Sequence, residues 1–318
     1  MMIKRRQVLV KWAALVAAMT LGFLTGCASS LPRTTVLAEG ATRVDLGKVS
    51  VTMLKDGQGS RVLDEKFVRN APLAEVQADL KAAGLPTDKL DVPYNLLLVD
   101  VGSQRVLFDT GNGEFGGASA GKLLENLAKA GIDPASITAV IISHFHGDHI
   151  NGLRNKAGAL VFPNAKIYVP TPEWSWWMDE ARYAATPEAA RGGLNTARRV
   201  FSPLAGTVTR FEPGAEVLPG VRSIAAFGHT PGHTVFMIEG GSRKLLYWAD
   251  TTNVAMFVRN PDWAVSFDMD AEAARLTRRR IADLAIAENA LVAGYHLSSP
   301  GIGTLSVRGQ GYEFTPLP

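Results

Sequence analysis

Residues 143–149, with the sequence Ser-His-Phe-His-Gly-Asp-His, constrain this chain more than any other feature. Three imidazoles and a carboxylate within six residues would be costly to bury without a partner, and a divalent metal binds both kinds of side chain. The apolar, β-branched run 137–142 just before them is typical of a buried strand. The pattern predicts a loop that aims His144 and His146 at one metal and Asp148 and His149 at a second.

The histidines of the whole chain are concentrated in the same way. A lone histidine is usually structural, but all six lie in three short segments: His144, His146 and His149; His229 and His233; and His296. Strand-like runs end just before Asp250 and His296, where open α/β sheets tend to hold their sites. Strands interspersed with helical spacing, as at 122–130 and 271–288, predict an α/β protein.

The order His-x-His-x-Asp-His at 144–149, then Gly228-His229, Asp250 and His296, resembles the ligand signature of the metallo-β-lactamase superfamily. The resemblance runs from Asp109-Thr110-Gly111 to the C-terminus. It implies an αββα sandwich with a two-metal site. In the implied assignment, the first metal is bound by His144, His146 and His229, the second by Asp148, His149 and His296, and both by Asp250.

Two divalent cations about 3.5–4 Å apart lower the pKa of a shared water and polarise a carbonyl or phosphoryl oxygen. We therefore expect a metal-bridging hydroxide as the nucleophile, with Asp250 and Asp148 as catalytic residues, the latter moving a proton at the leaving group. Zinc is the default metal, although such ligands also accept manganese, cobalt or iron. We expect His233 to form hydrogen bonds behind the ligands or to support the Gly-Pro turn, and Asp109 to orient the metal loop as in the family.

The tail 294–303 and 309–314, together with Gly-His-Thr-Pro-Gly-His-Thr at 228–234, resembles the methyl parathion hydrolase group. The resemblance implies cleavage of a small-molecule, ester-like substrate: a phosphotriester, an aryl ester or a lactone. Asn253 stands where acyl-homoserine lactonases typically carry a tyrosine, which disfavours a strict lactonase without excluding lactone cleavage. The alternatives are an acyl-homoserine lactonase, a thioester hydrolase, a non-catalytic metal-binding lipoprotein and a membrane-spanning sensor. The resemblance is also compatible with a homodimer.

Five aromatic side chains near the metal loop have two interpretations, a wall for an apolar substrate pocket or packing in the core or a dimer interface. They are Phe145, Trp174, Trp176, Trp177 and Tyr183. Packing is favoured for the group as a whole. Phe145 is the best pocket candidate, because it lies between two predicted ligands.

The first 27 residues have the features of an export signal: a basic start, an apolar stretch and a lipobox-like Leu-Thr-Gly-Cys ending at Cys27. Cys27 is the only cysteine, so a lipid anchor on the periplasmic side of the outer membrane is expected, or otherwise a soluble periplasmic protein. The predicted organisation is a signal peptide at 1–27, a linker at 28–44 and a hydrolase domain at 45–318. Four basic residues lie in the leader, so the rest of the chain has 29 basic and 30 acidic residues. This nearly neutral balance gives no reason to expect nucleic-acid binding.

Overall fold

A computed structural model of the chain describes residues 31–318. The predicted signal peptide and the lipobox cysteine Cys27 therefore lie outside the described residues. Within the described part, no helix is both long and apolar enough to cross a membrane.

Eight strands form the first sheet, in sequence order. They are β1 (Thr34–Ala38), β2 (Ala41–Asp45), β3 (Val49–Val62), β4 (Lys89–Val101), β5 (Gln104–Phe108), β6 (Ala139–Ile141), β7 (Lys166–Pro170) and β8 (Thr209–Phe211). Pairing is antiparallel from β1 to β5 and parallel from β5 to β8. The short strand β6 is buried on both faces, as its continuous apolar sequence predicts.

Seven strands form the second sheet, in the reverse order β15 to β9. They are β9 (Glu216–Leu218), β10 (Val221–Ala225), β11 (Thr234–Glu239), β12 (Lys244–Tyr247), β13 (Leu291–Ala293), β14 (Ile302–Arg308) and β15 (Gly311–Pro316). Only the β12–β13 pair is parallel. The chain therefore completes one sheet before it begins the other.

The helices lie between the strands in sequence. They are α1 (Leu73–Ala82), α2 (Leu123–Lys129), α3 (Gly147–Ile150), α4 (Thr171–Trp177), α5 (Glu180–Ala185), α6 (Gly192–Phe201), α7 (Ala255–Arg259) and α8 (Ala271–Ala287). The Asp270 side chain caps α8 by accepting a hydrogen bond from the Ala273 amide at 3.0 Å. The apolar face of α8 packs on the second sheet through Ile281 and Ala285.

The main core joins the inner faces of the two sheets. Phe108 at the end of β5 lies 5.2 Å from Phe236 on β11 and 5.4 Å from Tyr247 on β12, measured between ring centroids. All three side chains are fully buried. With helices on the outside, this is the αββα sandwich that the resemblance implied.

Residues 34–44, which we expected in a linker, instead form β1 and most of β2. The two strands pair with each other, and β2 pairs with β3. Ala41 and Val44 are almost completely buried, and the Thr34 amide donates to the Pro318 carbonyl at 3.0 Å. Threonine and valine favour strands, so the linker prediction is wrong for these residues.

Gly152 packs against the loop that follows β5. A Cβ atom on it would lie 1.9 Å from the Thr110 carbonyl oxygen, a backbone atom that cannot move alone. We expect Gly152→Ala to lower the free energy of unfolding by about 1–3 kcal/mol, the usual cost of overpacking. Urea unfolding of metal-free protein measures this without a contribution from bound ions.

The matched control is Gly117→Ala, because a Cβ atom there would meet nothing within 4 Å. We expect this variant to stay within about 0.5 kcal/mol of the original protein. Equal stabilities of the two variants would show that the close approach at Gly152 is not a constraint.

Candidate metal centre

The predicted ligands all lie just beyond strand ends. His144 and His146 follow β6, and Asp148 and His149 begin the short helix α3. His229 lies between β10 and β11, Asp250 follows β12 and His296 follows β13. The structure brings all seven together in overlapping groups whose ligand atoms lie within 4.8 Å of one another.

Two groups lie on either side of Asp250. In the three-histidine group (His144, His146 and His229), Nδ1 of His146 lies 3.2 Å from Nε2 of His144 and 2.9 Å from Nε2 of His229. In the mixed group (Asp148, His149 and His296), Oδ2 of Asp148 lies 3.5 Å from Nε2 of His149 and 3.6 Å from Nε2 of His296.

The Asp250 carboxylate contacts both groups. Its Oδ2 atom lies 3.0 Å from Nε2 of His296 and 3.3 Å from Nε2 of His229, and its Oδ1 atom lies 3.1 Å from Nε2 of His149. The side chain is 3% exposed, so water does not satisfy these oxygens freely. Asp250 is therefore placed to be shared between the groups.

These distances fit a divalent cation. Ligand atoms about 2.0–2.2 Å from a tetrahedral ion lie roughly 3.3 Å from one another, in the range seen here. His149 Nε2 and Asp250 Oδ1 are buried and make no hydrogen bond within the described part of the chain, although they face each other. Buried polar atoms of this kind require a partner, and a cation between them supplies one.

The protonation states of the histidines also favour a bound cation. Burial lowers the pKa of His144 and of His146 well below the ordinary value, which leaves neutral imidazoles with free lone pairs. Burial also disfavours charge on His149, but the carboxylates of Asp250, Asp148 and Asp109 outweigh it and raise the pKa of His149 well above normal. The carboxylates thus attract positive charge into the site, which a metal ion would provide.

Hydrogen bonds to Nδ1 orient four of the five ligand imidazoles. The partners are Ser143 Oγ for His144, Asp109 for His149, Asp268 for His229 and the Pro93 carbonyl for His296, at 2.7–2.9 Å. Each bond leaves Nε2 facing the centre. His146 is the exception and presents Nδ1.

Asp109 orients the metal loop as predicted. Its carboxylate accepts hydrogen bonds at 2.8 Å from the Ser143 amide, the Ser143 hydroxyl and the Tyr247 hydroxyl, and contacts His149 Nδ1 at the same distance. The residue is fully buried and has φ of 61°, a left-handed conformation that aspartate and asparagine tolerate.

His233 supports the ligands from behind, as predicted. Its Nδ1 donates to the Ala226 carbonyl at 2.9 Å, and its Nε2 accepts from the Asp250 amide at 3.1 Å. Burial lowers the pKa of His233 to about 3, so the ring is neutral. Both nitrogens are occupied, which leaves none for a metal.

Asp268 and Arg278 lie behind His229, and the sequence analysis did not identify them. Oδ2 of Asp268 lies 3.2 Å from Nη2 of Arg278, and Arg278 donates to the Thr251, Pro261 and Trp263 carbonyls. This buried Arg–Asp–His chain fixes His229 and the loop after Asp250. Asp268 lies two residues before the cap of α8, so its sequence position gave no separate signal.

A cavity of about 500 Å³ opens over the centre. Its floor includes His146, Asp148 and Asp250, and its walls include Arg61, Val92, Tyr94, Asn253 and Phe267. A larger cavity of about 640 Å³ lies beside β1 and α2 and touches none of the seven residues. We therefore take the smaller cavity as the candidate substrate site.

Tyr94 is a potential hydrogen-bond donor in this cavity. Its ring lies 5.6 Å from the His296 ring, between centroids. Burial and the nearby carboxylates of Asp148 and Asp250 raise the pKa of Tyr94 to about 12, so the phenol is protonated at neutral pH. Its hydroxyl lies over Gly59, where a Cβ atom would be only 2.5 Å away.

None of the five aromatic candidates is among the residues that line this cavity. The expectation that Phe145 forms part of the pocket is wrong, because its ring is fully buried and stacks on Phe201 with centroids 4.2 Å apart. Trp174 and Trp177 are buried in the main core. The packing interpretation holds for these three residues.

The profile of the Metallo-beta-lactamase superfamily matches residues 91–292, well over half of the chain. The chain belongs to this superfamily. The solved structure of AidC, described as a dizinc quorum-quenching lactonase, is 29% identical, with a TM-score of 0.81 over 87% of this chain and 97% of that one. The hydrolase AbOPH is 25% identical, with a TM-score of 0.79 over 91% of this chain and 98% of that one.

Similarity to curated relatives covers shorter segments. An N-acyl homoserine lactonase from Bacillus sp. is 28% identical over 173 residues, which make up 48% of this chain and 61% of the relative. A ribonuclease Z from Pyrococcus furiosus is 38% identical over 68 residues, 21% of this chain and 19% of the relative. The chain thus spans less than two thirds of the length of either curated relative.

The contacts of Asp109 lead to a prediction about metal affinity. Asp109→Asn keeps the backbone conformation accessible but replaces one acceptor oxygen with an amide group that cannot accept a hydrogen bond. We expect metal binding to weaken by about 10–100-fold, the usual cost of losing a group that orients ligands. Competition with a chromophoric chelator measures the change.

Asp133→Asn provides the control. The Asp133 carboxylate is exposed and caps a short turn by accepting from the Ala135 amide at 2.9 Å, which asparagine does as well. Unchanged affinity in Asp109→Asn would contradict the orienting role of Asp109.

Proposed function

We propose that this chain hydrolyses ester-like bonds of small molecules at a two-metal centre. The observation that carries the proposal is the position of Asp250, whose two carboxylate oxygens contact ligand atoms of both groups at 3.0–3.3 Å. A shared carboxylate allows two cations to bind close together. Two-metal hydrolytic sites have this arrangement.

In the proposed site, the three-histidine group would hold one divalent ion, the mixed group would hold the other, and Asp250 would be available to both. Nitrogen and carboxylate ligands suit zinc, and the similar AidC is described as a dizinc enzyme. Two bound ions would polarise a carbonyl or phosphoryl oxygen and lower the pKa of a water between them.

The protein's own side chains then have distinct tasks. The Asp148 carboxylate is 25% exposed, more than Asp250, and lines the cavity, so it is placed to transfer a proton at the leaving group. The Tyr94 phenol is placed to donate a hydrogen bond to the substrate. Val92 and Phe267 supply apolar walls.

The cavity indicates a small substrate. Its volume of about 500 Å³ is within the ordinary range for small-molecule sites. We propose a phosphotriester, an aryl ester or a lactone, the substrates that the sequence resemblance to the methyl parathion hydrolase group implies.

An acyl-homoserine lactone is the second candidate substrate, favoured by the similarity to AidC and to the Bacillus lactonase. Acyl-homoserine lactonases typically carry a tyrosine where this chain has Asn253, whose Nδ2 donates to Asp250 Oδ2 at 3.2 Å. This residue therefore braces the shared carboxylate. Tyr94, which enters the cavity from β4, offers a phenol from a different direction.

The proposed function is tested with zinc-loaded protein that lacks residues 1–27. Initial rates are compared on an aryl phosphotriester, an aryl ester and an acyl-homoserine lactone. We expect metal-dependent turnover of at least one substrate, and Asp250→Ala should reduce it to background because the shared ligand is lost. Preference for the lactone would select the second candidate.

The control for this experiment is the same protein after exhaustive chelation and again after zinc is restored. Restored zinc should recover the activity of the original protein but not that of Asp250→Ala. Absence of metal-dependent turnover on all three substrates would refute the proposed substrate class and favour a binding role.

The donor role of Tyr94 leads to a further prediction. Tyr94→Phe removes only the hydroxyl, and we expect kcat on the best substrate to fall by about 100-fold, as when one donor to the developing oxyanion is removed. Metal content should not change. Tyr183→Phe, a tyrosine outside the cavity, should retain normal kcat, and equal rates for the two variants would exclude the role of Tyr94.

A further inference from the structure

We propose that Glu173 is a positioning residue that holds the three-histidine group in its metal-binding geometry. This inference rests on the proposed metal centre and assigns a task to a residue outside it. Glu173 lies in the first turn of α4, is fully buried and does not line the cavity. A buried carboxylate is costly unless several donors satisfy it.

The donors to Glu173 come from two separate ligand loops. Oε2 accepts from the Phe145 amide at 2.9 Å, and Phe145 lies between His144 and His146 in the first loop. Oε1 accepts from the Gly232 amide at 2.7 Å and from the Thr230 hydroxyl, both in the loop that begins with His229. One carboxylate thus joins the loops that carry all three histidines of this group.

Close packing also holds the two ligand loops against Glu173. A Cβ atom on Gly232 would lie 2.3 Å from the Glu173 amide nitrogen, so the second loop sits directly against the start of α4. The Thr234 amide also donates to the Ser143 carbonyl at 3.1 Å, which links the same two loops at their other side. With Glu173 in place, the loops have little freedom to separate.

The mixed group is held by different residues. Asn95 Nδ2 donates to the carbonyls of Tyr295 and Leu297, on either side of His296, at 3.0 and 2.7 Å. His149 is held by Asp109. Loss of the Glu173 carboxylate should therefore weaken one metal site and leave the other intact.

The experiment compares two isosteric substitutions with opposite chemistry. Glu173→Gln replaces an acceptor with a donor amide behind the three-histidine group. Asn95→Asp replaces a donor with an acceptor behind the mixed group. Each purified protein is loaded with cadmium-113, and its NMR resonances and chelator competition are recorded. Variant His229→Ala, which removes one ligand, assigns the resonance of the three-histidine group.

We expect two resonances from the original protein. In Glu173→Gln the resonance of the three-histidine group should shift or disappear and its ion should bind about 10–100-fold more weakly, with the other site unchanged. Asn95→Asp should show the reverse pattern. A merely structural role for Glu173 would weaken both sites equally or neither, and either result would overturn the inference.

Thermal unfolding of the metal-free variants serves as the folding control. Should Glu173→Gln not fold, Thr230→Val removes one of the three donors and keeps the carboxylate. In Thr230→Val, the cadmium affinity of the three-histidine group should fall by less than in Glu173→Gln, and only the resonance of that group should change. Normal cadmium binding in Thr230→Val would overturn the inference. Two normal cadmium sites in Glu173→Gln would refute only the role of Glu173 and leave the metal centre standing. Absence of cadmium binding by the original protein would refute the metal centre itself.

Discussion

The structure depends on one constraint: five imidazoles and two carboxylates must be held within contact of one another with little access to water. Neighbouring ligand atoms lie 2.9–4.0 Å apart. Besides the completely buried His144 and His149, three of the seven side chains have 4% or less of their surface exposed, namely His229, Asp250 and His296. Groups of this kind tend to separate or change protonation unless they are paired. The surrounding hydrogen bonds oppose that separation, because each ligand loop is fixed by a buried polar side chain that lies behind it.

These supports connect the two sheets. Asp109 follows β5 of the first sheet and accepts from the Tyr247 hydroxyl on β12 of the second. Asn95 on β4 donates to carbonyls that follow β13. Since ligands from one sheet are held by residues of the other, the relative position of the sheets determines the geometry of the centre. The contact between Phe108 and Phe236 in the core, which joins the two sheets, therefore also helps to set the geometry of the centre.

The candidate site could be predicted from the sequence where its signal is local. The ligands His144 to His149 are close in sequence and follow an apolar strand, so their pattern is visible without the fold. Glu173 and Asn95 have no such signal, because each is a single polar residue whose partners are 28 residues or more away. Their burial and their donors exist only after the chain has folded. The family resemblance predicted the sandwich, which periodicity alone could not.

Two wrong predictions have simple geometric causes. Phe145 lies between two ligands in sequence, but side chains of an extended segment alternate in direction, so when His144 and His146 face the metals the residue between them faces the core. Residues 34–44 looked like part of a linker because they follow Ser29, Ser30 and Pro32 and contain three threonines. Of the two strands they form, β1 lies at the edge of the sheet, where such a sequence is tolerated because one face and one edge of the strand remain in water.

In the proposed function, the residues for hydrolysis and the residues for substrate choice belong to different parts of the chain. The ligands follow strand ends near the middle of both sheets, whereas Arg61, Val92 and Tyr94 belong to the far ends of the long strands β3 and β4. Asp56, at the irregularity in β3, accepts hydrogen bonds from the amides of Asn112 and Leu123 and so fixes this wall to the loop after β5. Similarity both to lactonases and to the hydrolase AbOPH fits the proposed function, in which the metal centre would supply hydrolysis and the wall would select the bond that reaches it.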